Sequence, residues 1–330
     1  MIAADDVLAT LRVVDLPLRR RFRGIVRREA ALFQGPEGWT EFSPFVEYDD
    51  EESSRWLAAA VEFGWRPSPD PLRSSIPVNA TVPAVPAEQV VEVLAGFPGC
   101  RTVKVKVAEP GQSGAEDVAR VAAVRAALGP EGRIRVDANG RWNVDEAERA
   151  VHALAPYDLE YLEQPCTELG ELIELGRRIR YLDVPIALDE AVRKAEDPQA
   201  AERAGAGAVL VVKAAPLGGI RAALGLAAGS RLPVVVSSAL ETSVGLAMGA
   251  HLAAALAELP FDCGLGTAAL LAADVTADPL LPVAGEIPVR RTTPDESLLE
   301  RWAADAERTQ WWRERITRCL ALLERAQRPE

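Results

Sequence analysis

From about residue 87 to 270, short runs rich in β-branched residues alternate with runs rich in Ala, Leu, Arg and Glu. This alternation predicts βα units around a parallel sheet. Strands are expected at 102–107, 133–137, 159–163, 185–189, 208–213, 233–238 and 261–264. After a first step of 30 residues, their ends recur every 24 to 26 residues. A period of that length holds one strand, one helix and two short loops, and about eight such units close a barrel. The competing arrangement, an open doubly wound sheet, carries a Gly-rich phosphate turn after its first strand, and no such turn is present.

The flanks have a different texture. Residues 11–14 and 22–27 read as strands that return through turns, and Gly35-Pro36-Glu37-Gly38 reads as a loop. Helical spacing over 53–65 ends at Pro67, Pro69 and Pro71, which makes residues 1–86 an α+β lobe ending in a Pro-punctuated connector at 77–86. Apolar positions at Leu298, Leu299, Trp302, Trp311, Trp312, Ile316, Leu320 and Leu323 predict amphipathic helix over 297–327 that packs back on the first lobe. The expected organisation is therefore a capping domain at 1–86, a barrel at 87–270 and a returning segment at 271–330.

Composition narrows the classes. With 330 residues, 48% of them hydrophobic and 26% charged, the chain can bury a large core. Lys+Arg at 37 against Asp+Glu at 49 gives a net charge of −12, which disfavours nucleic acid and anionic membrane surfaces as partners. The arginines at 19, 20, 21, 23, 27 and 28 are read as an outer sheet face paired with surplus acids, since no apolar segment of an export signal follows them. Cys100, Cys166, Cys263 and Cys319 lack metal-ligand or disulfide spacing, so a reducing cytoplasm is expected. The apolar stretch 244–259 is too short to span a bilayer of about 30 Å and reads as a buried helix. The expected partner is a small molecule, met by a monomer or a homo-oligomer.

Chemistry concentrates at the strand ends, the rim that carries catalysis in such barrels. Lys104 and Lys106 share one face of their strand while Val103, Val105 and Val107 share the other. In a closed barrel the valines meet the helices, so both lysines point inward. Arg135 and Asp137 repeat the pattern, Glu163 and Asp189 end the next two strands, and Lys213 ends the one after. Three carboxylates at spacings of 26 residues converge on a locus suited to a hard divalent cation such as Mg2+. Lysines on either side of it provide bases for removing a proton next to a carboxylate. His152 and His251 fall inside helical runs and read as structural.

As a set, Lys104-Val105-Lys106, Asp137-Ala138-Asn139-Gly140, Glu163-Gln164-Pro165, Asp189-Glu190 and Lys213 resemble the enolase superfamily over essentially the whole chain. The resemblance implies a modified (β/α)7β TIM barrel with an α+β capping domain formed from both termini. The two lysine positions resemble the muconate lactonizing subgroup rather than the mandelate racemase relatives with their His–Asp dyad. That subgroup includes muconate cycloisomerases, dipeptide epimerases, N-succinylamino acid racemases and o-succinylbenzoate synthases. Gly264-Leu265-Gly266-Thr267 stands where dipeptide epimerases carry Asp-x-Asp. Arg21-Phe22-Arg23-Gly24, the segment 38–45 and the segment 237–243 are most similar to the o-succinylbenzoate synthases of the actinobacterial type.

That likeness implies dehydration of 2-succinyl-6-hydroxy-2,4-cyclohexadiene-1-carboxylate to 2-succinylbenzoate in menaquinone biosynthesis. It implies Mg2+ on Asp137, Glu163 and Asp189, with Lys106 taking the α-proton and returning a proton to the departing hydroxyl on the same face. Lys213 is implied to stabilise the enediolate from the opposite face, Lys104 to lower the pKa of Lys106, and Glu190 to orient Lys213. Arg135 is implied to assist at the carboxylate, Asn139 to stand beside the site, and Ser237, Ser238 and Gly264 to cradle the succinyl group. Trp39 and Phe42 either close over the ring or belong to the lobe's core. N-succinylamino acid racemase or muconate-type cycloisomerase chemistry on the same site remains the alternative, with a non-catalytic metabolite-binding barrel as the rival from another class.

Overall fold

The structure, a computed structural model, describes residues 2–195 and 197–326. After a short α1 (Ala4–Leu8), β1 (Arg12–Phe22), β2 (Ile25–Gly35) and β3 (Gly38–Phe42) form an antiparallel sheet in sequential order. The tip of the first hairpin is Arg23-Gly24, both left-handed, with φ of 50° and 81°. Residues 22–27, expected as one strand, therefore straddle a chain reversal, because Gly24 takes the left-handed conformation without steric cost. The turn at 35–38 falls where the sequence places it. α2 (Asp50–Trp65) begins three residues before the expected start, because the Asp49 side chain accepts from the Glu52 amide at 2.8 Å and caps it. A short β4 (Ser75–Pro77) follows.

The barrel comprises β5 (Ala80–Val82), α3 (Val90–Leu94), β6 (Thr102–Lys106), α4 (Gly114–Leu128), β7 (Arg133–Asp137), α5 (Val144–Leu154), β8 (Leu159–Glu163), α6 (Leu169–Ile179), β9 (Ile186–Leu188), α7 (Glu190–Arg193), α8 (Ala200–Arg203), β10 (Val209–Val212), α9 (Ile220–Gly229), β11 (Val234–Val236) and α10 (Ser243–Ala255). β5 to β11 lie side by side in chain order, all parallel. The segment expected as a strand at 261–264 forms two parallel bridges, Ser237 to Gly264 and Val78 to Cys263, and so joins the two edges of the sheet. The ring is thereby closed as a (β/α)7β barrel. Its first strand, β5, lies in the stretch read as connector: three residues between prolines show no periodicity, and pairing with β6 makes them a strand.

Within the barrel, alternation sorts the strand residues, with one register shift where β8 pairs with β7. Val103, Val105, Ile134, Val136 and Leu162 join the main core toward the helices, whereas Tyr161, Ala187, Val209, Val211 and Val235 form a separate cluster with Phe261 in the lumen. This apolar plug underlies the polar end of the barrel. α10 is buried along nearly its whole length, and among the described residues no helix is long and apolar enough to cross a membrane.

The chain then returns to the cap. β12 (Glu286–Pro288) pairs with β4, and α11 (Glu296–Arg301) and α12 (Ala306–Ala326) replace the single helix expected over 297–327; Gln327 lies outside the described residues. The helix breaks because the intervening chain bonds to the free edge of β1, Asp15 N to Trp302 O at 2.8 Å and Ala304 N to Val13 O at 2.9 Å. α12 packs against α2 and β1. Its Trp312 meets Phe42 edge-on at 5.6 Å between centroids and donates to Glu29 at 2.6 Å. Arg315, also buried, donates to the Phe45 carbonyl at 3.1 Å and to Ser53 Oγ at 2.7 Å.

Trp312→Ala should cost about 3–5 kcal/mol in urea unfolding, as removal of a large buried aromatic does. Val46→Ala, at an exposed position, should stay within about 0.5 kcal/mol. Equal small losses for both would contradict the docking of α12 as a structural element of the cap.

Candidate active site

The register of the barrel places the charged residues. Lys106 pairs with Asp137 across β6 and β7, and Asp137 pairs with Glu163 across β7 and β8. Asp189 follows β9, and Lys213 follows β10. All six side chains, with Lys104, Lys106 and Lys213 on one side of the ledger of charge and Asp137, Glu163 and Asp189 on the other, belong to residues less than a tenth exposed. They neutralise one another in pairs: Lys106 to Asp137 at 2.5 Å, Lys104 to Glu163 at 2.8 Å and Lys213 to Asp189 at 2.6 Å. Lys104 also lies 3.3 Å from Asp137.

Burial opposes every one of these charges, and the neighbours decide the outcome. For Asp137, burial is outweighed by Lys106 and Lys104, which hold the carboxyl well below its usual range. Asp189 is likewise held low, against burial, by Lys213 and Arg193. Glu163 is raised by burial and by the charge of Asp137, with Asp189 adding to it. Lys106 is lowered, by burial first and by Lys104 as well, against the pull of Asp137. The effect expected of Lys104 on Lys106 has the right sign, though burial is the larger cause. Lys104 itself is raised, because Glu163 and Asp137 overcome its burial.

The donor set suits a hard divalent cation in its chemistry: three buried carboxylates on adjacent strands whose mutual repulsion is visible at Glu163. As placed, no three His, Cys, Asp or Glu side chains among the described residues gather closely enough to share one ion. Each carboxylate accepts from a lysine ammonium, so that no charge of the trio is left unpaired.

Asn139, in a left-handed turn at φ 48°, accepts from Lys106 Nζ at 2.7 Å and donates to Glu190 at 3.2 Å. Glu190 was expected to orient Lys213, but its carboxylate binds Arg193 at 2.7 Å, and Lys213 binds Asp189. The reason is helical: three residues along α7, Arg193 returns to Glu190 and reaches Asp189 at 3.0 Å. Arg135 was expected at the substrate carboxylate. Two residues earlier than Asp137 on β7, it sits one layer deeper, bound to Glu160 at 2.5 Å and to the Asp262 carbonyl at 2.6 Å, with Tyr161 beneath it at 4.8 Å.

Ser237, Ser238 and Gly264 do line the pocket above the lysines. Ser238 Oγ donates to the Gly264 carbonyl at 2.6 Å, and a Cβ at Gly264 would lie 2.4 Å from Ser237 Oγ, so a side chain there would displace the Ser237 hydroxyl. Trp39 and Phe42 do not line the pocket: Phe42 is buried in the lobe against Trp312, and Trp39, on the other face of β3, is half-buried. The aromatic wall comes from Phe22, Phe45, Tyr48 and Trp56, and Arg23 stacks over Phe45 at 4.1 Å beside the Tyr48 hydroxyl. Phe22 lies 5.3 Å from Lys106 Nζ. Of the missed residues, Phe22 and Arg23 had a signal in the Arg-Phe-Arg-Gly segment, Phe45 in the segment 38–45 and Thr267 in the Gly264 segment, whereas Tyr48, Trp56, Arg193 and Thr81 come together only through tertiary packing.

Residues 87–294 match the family model described as enolase C-terminal domain-like, and 13–64 the one described as enolase N-terminal domain-like. The chain is 55% identical to the o-succinylbenzoate synthase of Mycobacterium ulcerans, covering 97% of this chain and 96% of that protein. It is 54% identical to that of Mycolicibacterium smegmatis, covering 97% and 98%. Among solved structures, a muconate lactonizing enzyme from Pseudomonas fluorescens complexed with muconolactone superposes with TM-score 0.74 at 21% identity, covering 89% and 98%. An N-succinyl Arg/Lys racemase from Bacillus cereus gives 0.72 at 19%, covering 89% and 97%. These two share the fold.

Arg135→Met should lower stability by about 1–3 kcal/mol, because Asn79, Glu160 and the Asp262 carbonyl all lose the buried guanidinium that donates to them. The measurement is denaturant unfolding, and an unchanged midpoint would show that Arg135 is not the support of the lumen's lower layer.

Proposed function

Because this chain belongs to the o-succinylbenzoate synthases of the enolase superfamily, we propose that its buried lysine–carboxylate site dehydrates 2-succinyl-6-hydroxy-2,4-cyclohexadiene-1-carboxylate to 2-succinylbenzoate, a step toward menaquinone. The enzyme is a carbon–oxygen lyase of the dehydratase type. The observation that carries the reading is the division of the lysines: Lys104 and Lys106 stand at the Asp137 side of the carboxylate trio and Lys213 at the Asp189 side. A ring seated between them meets an amine on each face.

Held by Asp137, Glu163 and Asp189, a divalent cation, Mg2+ by family habit, would supply the positive charge that neutralises the ring carboxylate and makes the adjacent C–H acidic. Lys106, entering as the free amine, takes that proton. The departing hydroxyl lies on the same face, and Lys106, now an ammonium, protonates it as it leaves as water. The ring gains a double bond, and Lys106 returns to the amine. Lys213 places a positive charge against the opposite ring face while the electron pair is delocalised. Lys104 keeps a second positive charge beside Lys106 and balances Glu163. Phe22, Phe45, Tyr48 and Trp56 exclude water from the ring, and Ser237, Ser238 and Gly264 face its substituent. The substrate is a small carboxylate, and the four cysteines are free thiols, in keeping with a cytoplasmic enzyme.

The two-sided lysine arrangement equally suits racemisation of an N-succinylamino acid, where one amine removes a proton and the other delivers one from the opposite face. Lys213→Arg separates the two. Loss of proton exchange in one stereochemical direction with an N-succinylamino acid would favour racemisation, whereas elimination should keep its dependence on Lys106 alone as base.

Turnover of the hydroxycyclohexadiene carboxylate, followed by its ultraviolet change, should be fast with Mg2+ and abolished by chelator. Lys106→Ala should lower kcat by about 10²–10⁴-fold, the span of a lost general base. Asp137→Asn should remove both Mg2+ binding and turnover, and a fully active Asp137→Asn enzyme would overturn the assigned cation site.

A further inference from the structure

Two charged residues of the cap are buried at the barrel outside the lysine–carboxylate site, and one of them, Arg28, was expected on an outer sheet face but donates to buried carbonyls instead. Arg28 on β2 is 2% exposed and Glu41 on β3 is 3% exposed. Arg28 donates through Nε to the Leu240 carbonyl at 3.1 Å, through Nη2 to the Ala239 carbonyl at 3.4 Å, and also to the Ser43 carbonyl. Glu41 accepts from the Thr242 amide at 3.1 Å, the Thr242 hydroxyl at 2.5 Å, the Gly245 amide at 3.0 Å and the Ser43 hydroxyl at 2.6 Å. The cap therefore offers a cation to the last carbonyls of the β11–α10 loop and an anion to the first amides of α10. That is the complement of a helix N-terminus and the chain entering it.

The fit leaves little slack. A Cβ at Gly245 would lie 2.8 Å from the Glu41 carboxylate, so glycine is what permits the approach. Leu240 takes a left-handed φ of 67°, a conformation uncommon for a branched side chain, and the Arg28 bond falls on its carbonyl. The same loop supplies Ser237, Ser238, Ala239 and Leu240 to the pocket wall. Keeping Glu41 there is costly: burial, with the charge of Glu241 added, pushes its carboxyl up to about 7 against the bonds from Ser43 and Thr242 and the charge of Arg28. Among the charged groups facing it are Arg28 from β2 and Glu241 from the loop.

We propose that Glu41, with Arg28, is a positioning residue: it fixes the 237–240 wall from the cap and thereby sets affinity for the part of the substrate distal to the ring carboxylate. The proposal rests on the function assigned above for its substrate but not for its geometry. Neither residue touches the reacting atoms, so the effect belongs in KM rather than in kcat.

The test uses full-length Glu41→Gln enzyme with Mg2+. The amide keeps one acceptor for Thr242 and Gly245 but turns a donor toward Ser43 and removes the charge, and loss of charge-assisted bonds predicts a KM increase of about tenfold or more. The kcat should stay within about threefold and half-saturation by Mg2+ should be unchanged. Hydrogen exchange should accelerate at the Thr242 and Gly245 amides while β6 and β7 keep their protection. Ser43→Ala, which removes one bond to Glu41, should shift KM in the same direction by less and covers a failure of Glu41→Gln to fold. An unchanged KM would overturn the proposal, as would a joint fall of kcat, Mg2+ affinity and protection throughout the barrel. A wild-type enzyme inactive on the hydroxycyclohexadiene carboxylate would overturn the assigned function instead, and the exchange at Thr242 and Gly245 would still decide whether Glu41 holds the wall.

Discussion

Six ionisable groups share one end of a barrel that excludes water, and their mutual compensation is the constraint on which the molecule depends. An isolated carboxylate or ammonium in that setting would be expelled or would change its protonation. Alternation puts valines outward and charges inward on β6 and β7, so the fold cannot bury its barrel helices without also burying Lys104, Lys106 and Asp137. Neighbouring strands supply the partners of Lys106 and Lys213, and Lys104 reaches past β7 to Glu163 on β8. Lys–Asp and Lys–Glu pairs then make a charged layer tolerable above a lumen plug of Tyr161, Val209, Val211, Val235 and Phe261.

Function follows from the same compensation being exchangeable. On the function proposed above, the three carboxylates would pass their charge balance from the lysines to a cation, which would leave amines on both sides of the space for a substrate ring. The cap then decides what enters. Its hairpin tip and α2 bring Phe22, Arg23 and Trp56 over the lysines, and its inner strands grip the loop that forms the opposite wall. Both termini are needed for this cap, because α12 covers β1 and α2 through Trp312 and Arg315.

The strand-end charges were legible in the sequence because period-2 alternation leaves no choice of face once the barrel is closed. Lys104, Lys106, Asp137, Glu163, Asp189 and Lys213 are brought to one end, as that pattern requires. Depth along a strand was not legible: Arg135 shares a face with Asp137 but lies a layer below, serving Glu160 and the Asp262 carbonyl. Glu190 was misread because the turn of α7, which returns Arg193 to it, is only four residues long. β5 escaped notice because three residues between prolines show no period. The aromatic wall was sought at Trp39 and Phe42, where the cap is rich in rings, but neither lines the pocket, and Phe42 packs on Trp312 of the returning helix.

The most direct test of the exchange of partners is a crystal structure of the protein with Mg2+ and 2-succinylbenzoate. The ion should lie among Asp137, Glu163 and Asp189, with Lys106 and Lys213 released from Asp137 and Asp189 to opposite faces of the ring. An ion bound elsewhere, or lysines still paired to those carboxylates with the ring outside the barrel, would contradict the account.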